Sequence, residues 1–91
     1  MPLKLTGRHM TITDETRLYI EKKVNRLRRL APKIDEMSIT LSKTNKLLVD
    51  VEASFRAGKI VAQASTRAEH THEAIDVLID KLEAQITKAK K

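Results

Sequence analysis

The feature of this sequence that most constrains its fold is a run of three segments in which apolar and polar residues alternate. Residues 37–42, MSITLS, alternate strictly, and residues 47–55 alternate over a longer stretch with one exception, Leu48. Residues 60–67, IVAQASTR, follow the turn-like RAGK at residues 56–59, where Gly58 can supply the positive φ of a tight hairpin. Alternation places apolar side chains on one face of a strand. We therefore expect a mostly antiparallel sheet with one buried face and one polar, water-facing face.

Helical periodicity marks the segments on either side of these strands. In the first, Thr13 is a suitable N-cap and Pro32 ends the helix near Leu30. The second helix begins at about His70. Each has an apolar stripe, which is typical of a helix packed on one side. The stripes are Ile20, Val24, Leu27 and Ala31 in the first helix, and Ile75, Leu78, Ile79, Leu82 and Ile86 in the second.

A short alternating segment near the N-terminus completes the pattern. LKLTG, residues 3–7, is predicted as a first strand, so the order is β-α-β-β-β-α. This order predicts an α+β fold, a four-stranded mixed sheet with both helices packed on one face. The first two strands, joined across a helix, would be parallel neighbours through a right-handed crossover. The length predicts a single domain over residues 1–91, with residues 88–91 as a frayed tail.

The net charge of +6 is concentrated at the two ends of the sequence. Residues 1–33 carry nine Lys and Arg against three acids, and residues 81–91 carry four against one. Concentrated positive charge is typical of a surface that binds a polyanion, although solvated basic faces are also common on helices. The candidate RNA-binding residues flank the apolar stripes: Lys22, Lys23, Arg26 and Arg29 in the first helix, and Lys81, Lys88, Lys90 and Lys91 in or after the second.

The second helix is polarised in charge. Acids occupy one flank of its apolar stripe, and Lys81 and Lys88 occupy the other; the acids are Glu73, Asp76, Asp80 and Glu83. With both helices on one side of the sheet, the lysine flank and the basic flank of the first helix could form one continuous strip, leaving the acids to face elsewhere. Helix handedness and register decide whether they do.

Several classes of protein are disfavoured by the composition. The chain contains no cysteine, so thiolate chemistry is excluded and a reducing compartment fits best. The N-terminus lacks an apolar run of signal-peptide length, and no stretch approaches the roughly 20 apolar residues that span a bilayer. We therefore expect a cytoplasmic protein with no membrane partner.

Metal-ligating and catalytic patterns are weak. His70 and His72 are two residues apart, which on a helix turns their side chains about 200° from each other, so we expect no metal site. Asp76 and Asp80 lie one turn apart, but no nucleophile or Gly-rich phosphate loop accompanies them. We expect no enzyme, no catalytic residue, no cofactor and no small-molecule substrate.

The two ends of the sequence resemble a known family. LTGRHMTITDETRLYIEKKVNRL and EAIDVLIDKLEAQITKAKK are similar to the ribosome hibernation promoting factors and the ribosome-associated inhibitor, the sigma-54 modulation proteins. The resemblance covers essentially the whole chain, in the manner of a short form or an N-terminal domain. It implies a fold similar to double-stranded RNA-binding domains. It also implies a translation inhibitor of stress or stationary phase, which binds rRNA of the small ribosomal subunit in the mRNA and tRNA channel and is a monomer off the ribosome.

The resemblance also assigns residues. The family's basic positions fall on Lys23, Arg26, Lys81 and Lys88, and the other four candidates extend the strip. In HTHEAID, His70 and His72 replace an acid and an aromatic residue, and they become possible RNA-facing imidazoles. Two other functions remain open: a generic double-stranded RNA-binding module without ribosome preference, and a protein-interaction domain whose charge keeps it soluble.

Overall fold

The computed structural model describes residues 3–89 and contains six elements in the expected order. The prediction of an α+β fold with the order β-α-β-β-β-α is confirmed. The elements are β1 (Leu3–Arg8), α1 (Asp14–Leu30), β2 (Ile34–Lys43), β3 (Val49–Ala57), β4 (Ile60–Ala68) and α2 (Thr71–Ala89).

The four strands form one mixed sheet in the order β1-β2-β3-β4. β1 runs parallel to β2, with Leu3 opposite Met37, and this confirms that the strands joined across α1 are parallel neighbours. The other two pairs are antiparallel. The β3–β4 hairpin closes at the Ala57–Ile60 pair, and Gly58 has the positive φ of 63° that the sequence predicted.

Two strands begin at residues other than the predicted ones. β2 begins at Ile34 rather than at Met37. Its pairing register with β3 shifts between these two residues, so both side chains are buried although they are three positions apart in the sequence. β3 begins at Val49 rather than at Leu47. The Asn45 side-chain oxygen accepts hydrogen bonds from the N–H groups of residues 47 and 48, at 2.8 and 2.9 Å, and so holds these residues in a turn.

The N-cap of α1 follows the prediction. Thr13 Oγ1 accepts a hydrogen bond from the Thr16 N–H at 3.2 Å, and Asp14 and Glu15 lie in the first turn, where the helix dipole favours negative charge. The helix ends at Leu30, as Pro32 predicts. Such local signals fix where α1 begins and ends before tertiary packing contributes.

A single apolar core lies between the sheet and the two helices. All the predicted stripe residues of both helices are buried in it, as are alternate residues of the central strands. The opposite face of the sheet carries polar residues such as Thr40, Glu52 and Ser65, so the helices cover one face only. Within residues 3–89, no helix is both long enough and apolar enough to cross a membrane.

Candidate nucleic-acid interface

The two helices lie side by side and run in the same direction. Thr16 Oγ1 lies 3.5 Å from His72 Nε2 near the start of both helices. About three turns further along each helix, Arg26 Nε lies 3.0 Å from Glu83 Oε1. Because both partners advance together along the chain, the helices are parallel. One flank of α2 therefore faces α1 along much of its length.

A cluster of four side chains joins the helices between these two contacts. The Tyr19 ring stacks on the His72 ring, with centroids 4.2 Å apart and planes 5° from parallel. The Tyr19 hydroxyl donates a hydrogen bond to Asp76 Oδ1. Lys23 Nζ lies 3.5 Å from the same carboxylate oxygen and 5.4 Å from the Tyr19 ring centroid. We call Tyr19, Lys23, His72 and Asp76 the helix–helix cluster.

The cluster perturbs the acidity of its phenol. The hydrogen bond to Asp76 is the largest cause that raises the pKa of Tyr19, with smaller contributions from burial and from charge repulsion by the same carboxylate. The neutral phenol is therefore the form that the folded protein favours.

The continuous basic strip that the sequence left possible does not form between the described parts of the two helices. The flank of α2 that faces α1 carries Asp76 and Glu83, which pair with cations of α1. Lys81 instead reaches the other way and donates a hydrogen bond to the Ser65 carbonyl oxygen of β4, at 3.0 Å. The reason is geometric: the lysines and the acids lie on opposite flanks of the α2 stripe, so only one set can face α1.

α1 carries the first of two basic surfaces. Its four candidate residues line one shallow depression together with Asn25, as their common arc on the helix predicts. Lys22 and Arg29 are exposed, Arg26 keeps 60% of its side chain exposed beside Glu83, and Lys23 keeps 26% beside Asp76. We call Lys22, Lys23, Arg26 and Arg29 the α1 basic surface.

The second basic surface lies where α2 meets β4. Lys81 lines a depression there with Arg67 and with two acids of β3, Asp50 and Glu52. Lys88 is exposed two turns further along the same side of α2, outside this depression and its acids. Arg67 pairs with Asp50 at 2.6 Å; this contact lowers the pKa of the Asp50 carboxyl and raises the pKa of the Arg67 guanidinium. We call Arg67, Lys81 and Lys88 the α2 edge surface. Lys90 and Lys91 lie outside the described residues.

Sequence reasoning missed Arg67 because its position depends on the sheet register. Arg67 lies on the polar face of β4, directly opposite Asp50 of β3. The only sequence signal was a basic residue at a polar position of the last strand, and nothing local places it beside Lys81.

An acidic ridge separates the two basic surfaces. Asp76 and Glu83 form its side toward α1, and Glu73 and Asp80 are exposed on the outward side of α2. The ridge ends at Glu83, since residues 84–88 contain no acid. From the α1 basic surface across α2 to Lys81 and Lys88, the order of charge is therefore basic, acidic, basic.

The two histidines of HTHEAID have different surroundings. His70 is exposed just before α2, and its carbonyl oxygen accepts the Ala74 N–H at 3.0 Å. His72 is half-buried in the helix–helix cluster, where its ring takes an aromatic's place against Tyr19. Within residues 3–89 no group of three or more His, Cys, Asp or Glu side chains could hold a metal ion. An RNA-facing role for either histidine stays a prediction.

Several relatives are similar to this chain over almost its whole sequence. A ribosome hibernation promoting factor of Azotobacter vinelandii is 31% identical over 90 residues, covering 99% of this chain and 83% of the relative. The factor of the same name from Escherichia coli K12 is 31% identical over 90 residues, covering 99% of this chain and 94% of the relative. One from Pseudomonas putida is 34% identical over 92 residues, covering 99% and 87%.

Solved structures lead to the same group of proteins. A ribosomal subunit interface protein from Coxiella burnetii superposes with a TM-score of 0.91 at 28% identity, covering 99% of this chain and 98% of the other. The N-terminal domain of Thermus thermophilus Protein Y gives a TM-score of 0.86 at 30% identity, covering 98% and 99%. The family profile described as Sigma 54 modulation protein / S30EA ribosomal protein matches residues 3–91. The chain belongs to this family, as the residues at its two ends predict.

Proposed function

We propose that this protein is a ribosome hibernation factor, which binds the small ribosomal subunit and inhibits translation under stress or in stationary phase. The family and the names of its relatives support this role. The observation that carries it in this chain is the α1 basic surface, where four cations line one exposed depression of a domain with that fold. This function places the protein in the cytoplasm, where it is a monomer until it binds a ribosome.

The mechanism we propose is steric and involves no catalysis. The cations of the α1 basic surface and the α2 edge surface contact rRNA phosphates in the channel for mRNA and tRNA, so that neither ligand can enter. Phosphate contacts fix position and carry little base information. Of the Phe, Tyr and Trp side chains in residues 3–89, Phe55 is buried, and Tyr19 has one ring face stacked on His72 and Lys23 Nζ 5.4 Å from its centroid, so neither is an open stacking platform for bases. Recognition through the shape and backbone of structured RNA follows.

The test uses residues that lie outside the contacts between the helices. A Lys22→Ala, Arg29→Ala double variant should bind small subunits about tenfold or more weakly, and each lost phosphate contact should flatten the slope of log affinity against log salt by roughly 0.7 to 0.9. A Lys43→Ala, Lys46→Ala variant is the control, because it removes the same charge from exposed positions at the end of β2 and in the following loop.

The same titration separates the proposed function from a generic RNA-binding module. Unlabelled duplex RNA is added as a competitor against labelled protein bound to small subunits. We expect that duplex RNA competes poorly and that the control variant binds like the parent. The proposed preference for the ribosome would be contradicted if both variants lost affinity for small subunits equally, or if plain duplex RNA displaced the bound protein efficiently.

A further inference from the structure

We infer that the acidic ridge of α2 is a specificity element, which divides the RNA-binding face in two and rejects any RNA whose backbone runs continuously across both helices. The ridge consists of Glu73, Asp76, Asp80 and Glu83. This inference rests on the proposed function and adds to it the kind of RNA surface that fits: two separate phosphate tracks, one over the α1 basic surface and one over the α2 edge surface.

The fold holds part of the ridge in place. Asp76 is fixed by the Tyr19 hydroxyl and the Lys23 ammonium, and Glu83 by the Arg26 guanidinium. Each of these acids balances one cation of α1, so the attraction that remains for phosphate on α1 is strongest at Lys22 and Arg29. An RNA backbone that binds α1 is therefore attracted to the outward side of this helix and away from the junction between the helices.

The acids on the outward side of the ridge are not neutralised by a cation in the contacts of the described residues. Glu73 and Asp80 are exposed on the side of α2 that faces away from the sheet, and no ion pair with either is found in residues 3–89. In water at low ionic strength, a phosphate about 6 Å from a carboxylate is repelled by an energy worth roughly a threefold loss of affinity. Two such acids under one backbone weaken its binding by about tenfold.

The dimensions allow the two basic surfaces to act separately. Packed helices lie about 8–10 Å apart, and a helix with its side chains is about 10–12 Å wide. The Debye length at physiological salt is about 8 Å, so charges on one surface are largely screened at the other. An RNA with two suitably spaced backbones can bind the α1 basic surface and the α2 edge surface at once. A single backbone that crosses α2 is repelled by the carboxylates of the ridge. Repulsion built against the wrong ligand is a general means of specificity.

The experiment neutralises the two acids that take no part in the contacts between the helices. A Glu73→Gln, Asp80→Asn variant and the parent are titrated with purified small ribosomal subunits and, separately, with plain duplex RNA at one fixed, low ionic strength, where these charges are little screened. An Asp35→Asn, Glu36→Gln variant is the matched control. It makes the same charge change at exposed residues of β2 that line a depression on the polar face of the sheet.

We expect the Glu73→Gln, Asp80→Asn variant to bind duplex RNA about tenfold more tightly than the parent does. Its affinity for small subunits should rise by less than about threefold, so its selectivity for small subunits over duplex RNA falls. The control variant should retain the selectivity of the parent. Equal tightening for both RNAs, or the same loss of selectivity in the control, would show an effect of net charge alone and overturn the inference. A parent that does not bind small subunits refutes the proposed function itself, before any variant is measured, and the inference falls with it.

Discussion

Tyr19→Phe is the substitution that probes the helix–helix cluster most directly. It removes the hydroxyl that donates to Asp76 and keeps the ring that stacks on His72. The change is isosteric apart from one oxygen atom, and α1 keeps its other contacts. Its effect on stability therefore reports the hydrogen bond between the helices.

The magnitude follows from the partners and their exposure. A hydrogen bond to a charged group contributes roughly 1.5–3 kcal/mol when it is protected from water. The Asp76 side chain is 48% exposed, so water replaces part of the lost bond, and we expect a cost of about 1 kcal/mol. For a domain of this size, that corresponds to a fall in Tm of roughly 4–8 °C.

The assay is thermal unfolding at neutral pH, arranged as a double-mutant cycle with Asp76→Ala. Groups in direct contact give coupling energies of about 0.5 kcal/mol or more, whereas independent sites add within about 0.3–0.5 kcal/mol. We expect the costs of Tyr19→Phe and Asp76→Ala to be coupled. If the two costs simply add, or if Tyr19→Phe leaves Tm unchanged, the hydroxyl does not join the helices.

The pH dependence of stability gives an independent check on the same bond. The pKa of Tyr19 is raised above its ordinary value of 10.0, so the neutral phenol is favoured by folding. Its contribution is fully present below pH 10.0 and is lost as the pH rises through the folded-state pKa. The parent should therefore lose more stability than Tyr19→Phe in this alkaline range. Parallel curves for the two proteins would contradict the shift.

The remaining predictions concern backbone packing, an ion pair and the sheet edge. A Cβ at Gly7 would lie 2.6 Å from the Met10 carbonyl oxygen, so Gly7→Ala should destabilise the fold by about 1–3 kcal/mol in denaturant unfolding, and an unchanged midpoint would contradict this. Arg67 lowers the pKa of Asp50, so this pair stabilises the fold above pH 3.8, and its contribution is lost as the pH falls through the lowered pKa. Arg67→Ala should therefore make stability less dependent on pH in this acidic range, and an unchanged dependence would contradict the contribution of the pair. Gln85 accepts a hydrogen bond from the Gln63 N–H at 3.1 Å and donates one to the Gln63 carbonyl oxygen at 2.7 Å, and so covers part of the β4 edge. Gln85→Ala should therefore increase self-association in light scattering, and an unchanged signal would contradict this role.

Local signals in the sequence account for most of the predicted fold. The cap at Thr13, the stop at Pro32 and the hairpin at Gly58 each act within a few residues, so a sequence reading can place them. The start of β2 was placed too late because the register shift after Ile34 interrupts its alternation. The start of β3 was placed too early because the Asn45 side chain takes N–H groups that a strand would need.

The candidate site was predictable on one helix and not across two. The α1 basic surface follows from helical spacing alone, and the structure brings its four residues together. Which flank of α2 faces α1 depends on how both helices sit on the sheet, and here the acids face α1 and Lys81 turns to β4. The signal in the sequence was charge alone: α1 carries cations and α2 carries acids beside their apolar stripes, and Arg26 and Glu83 are one pair that the structure brings together.

The central claim is that this protein holds idle ribosomes through the small subunit, and sedimentation tests it most directly. Lysates of growing and stationary-phase cells that express the parent, or the Lys22→Ala, Arg29→Ala variant, are separated on sucrose gradients, and the protein is detected in each fraction. We predict that in stationary phase the parent sediments with ribosomal particles that contain the small subunit, and that the variant moves toward the top of the gradient. If the parent stays at the top in both growth phases, or if parent and variant sediment alike, the claim is contradicted.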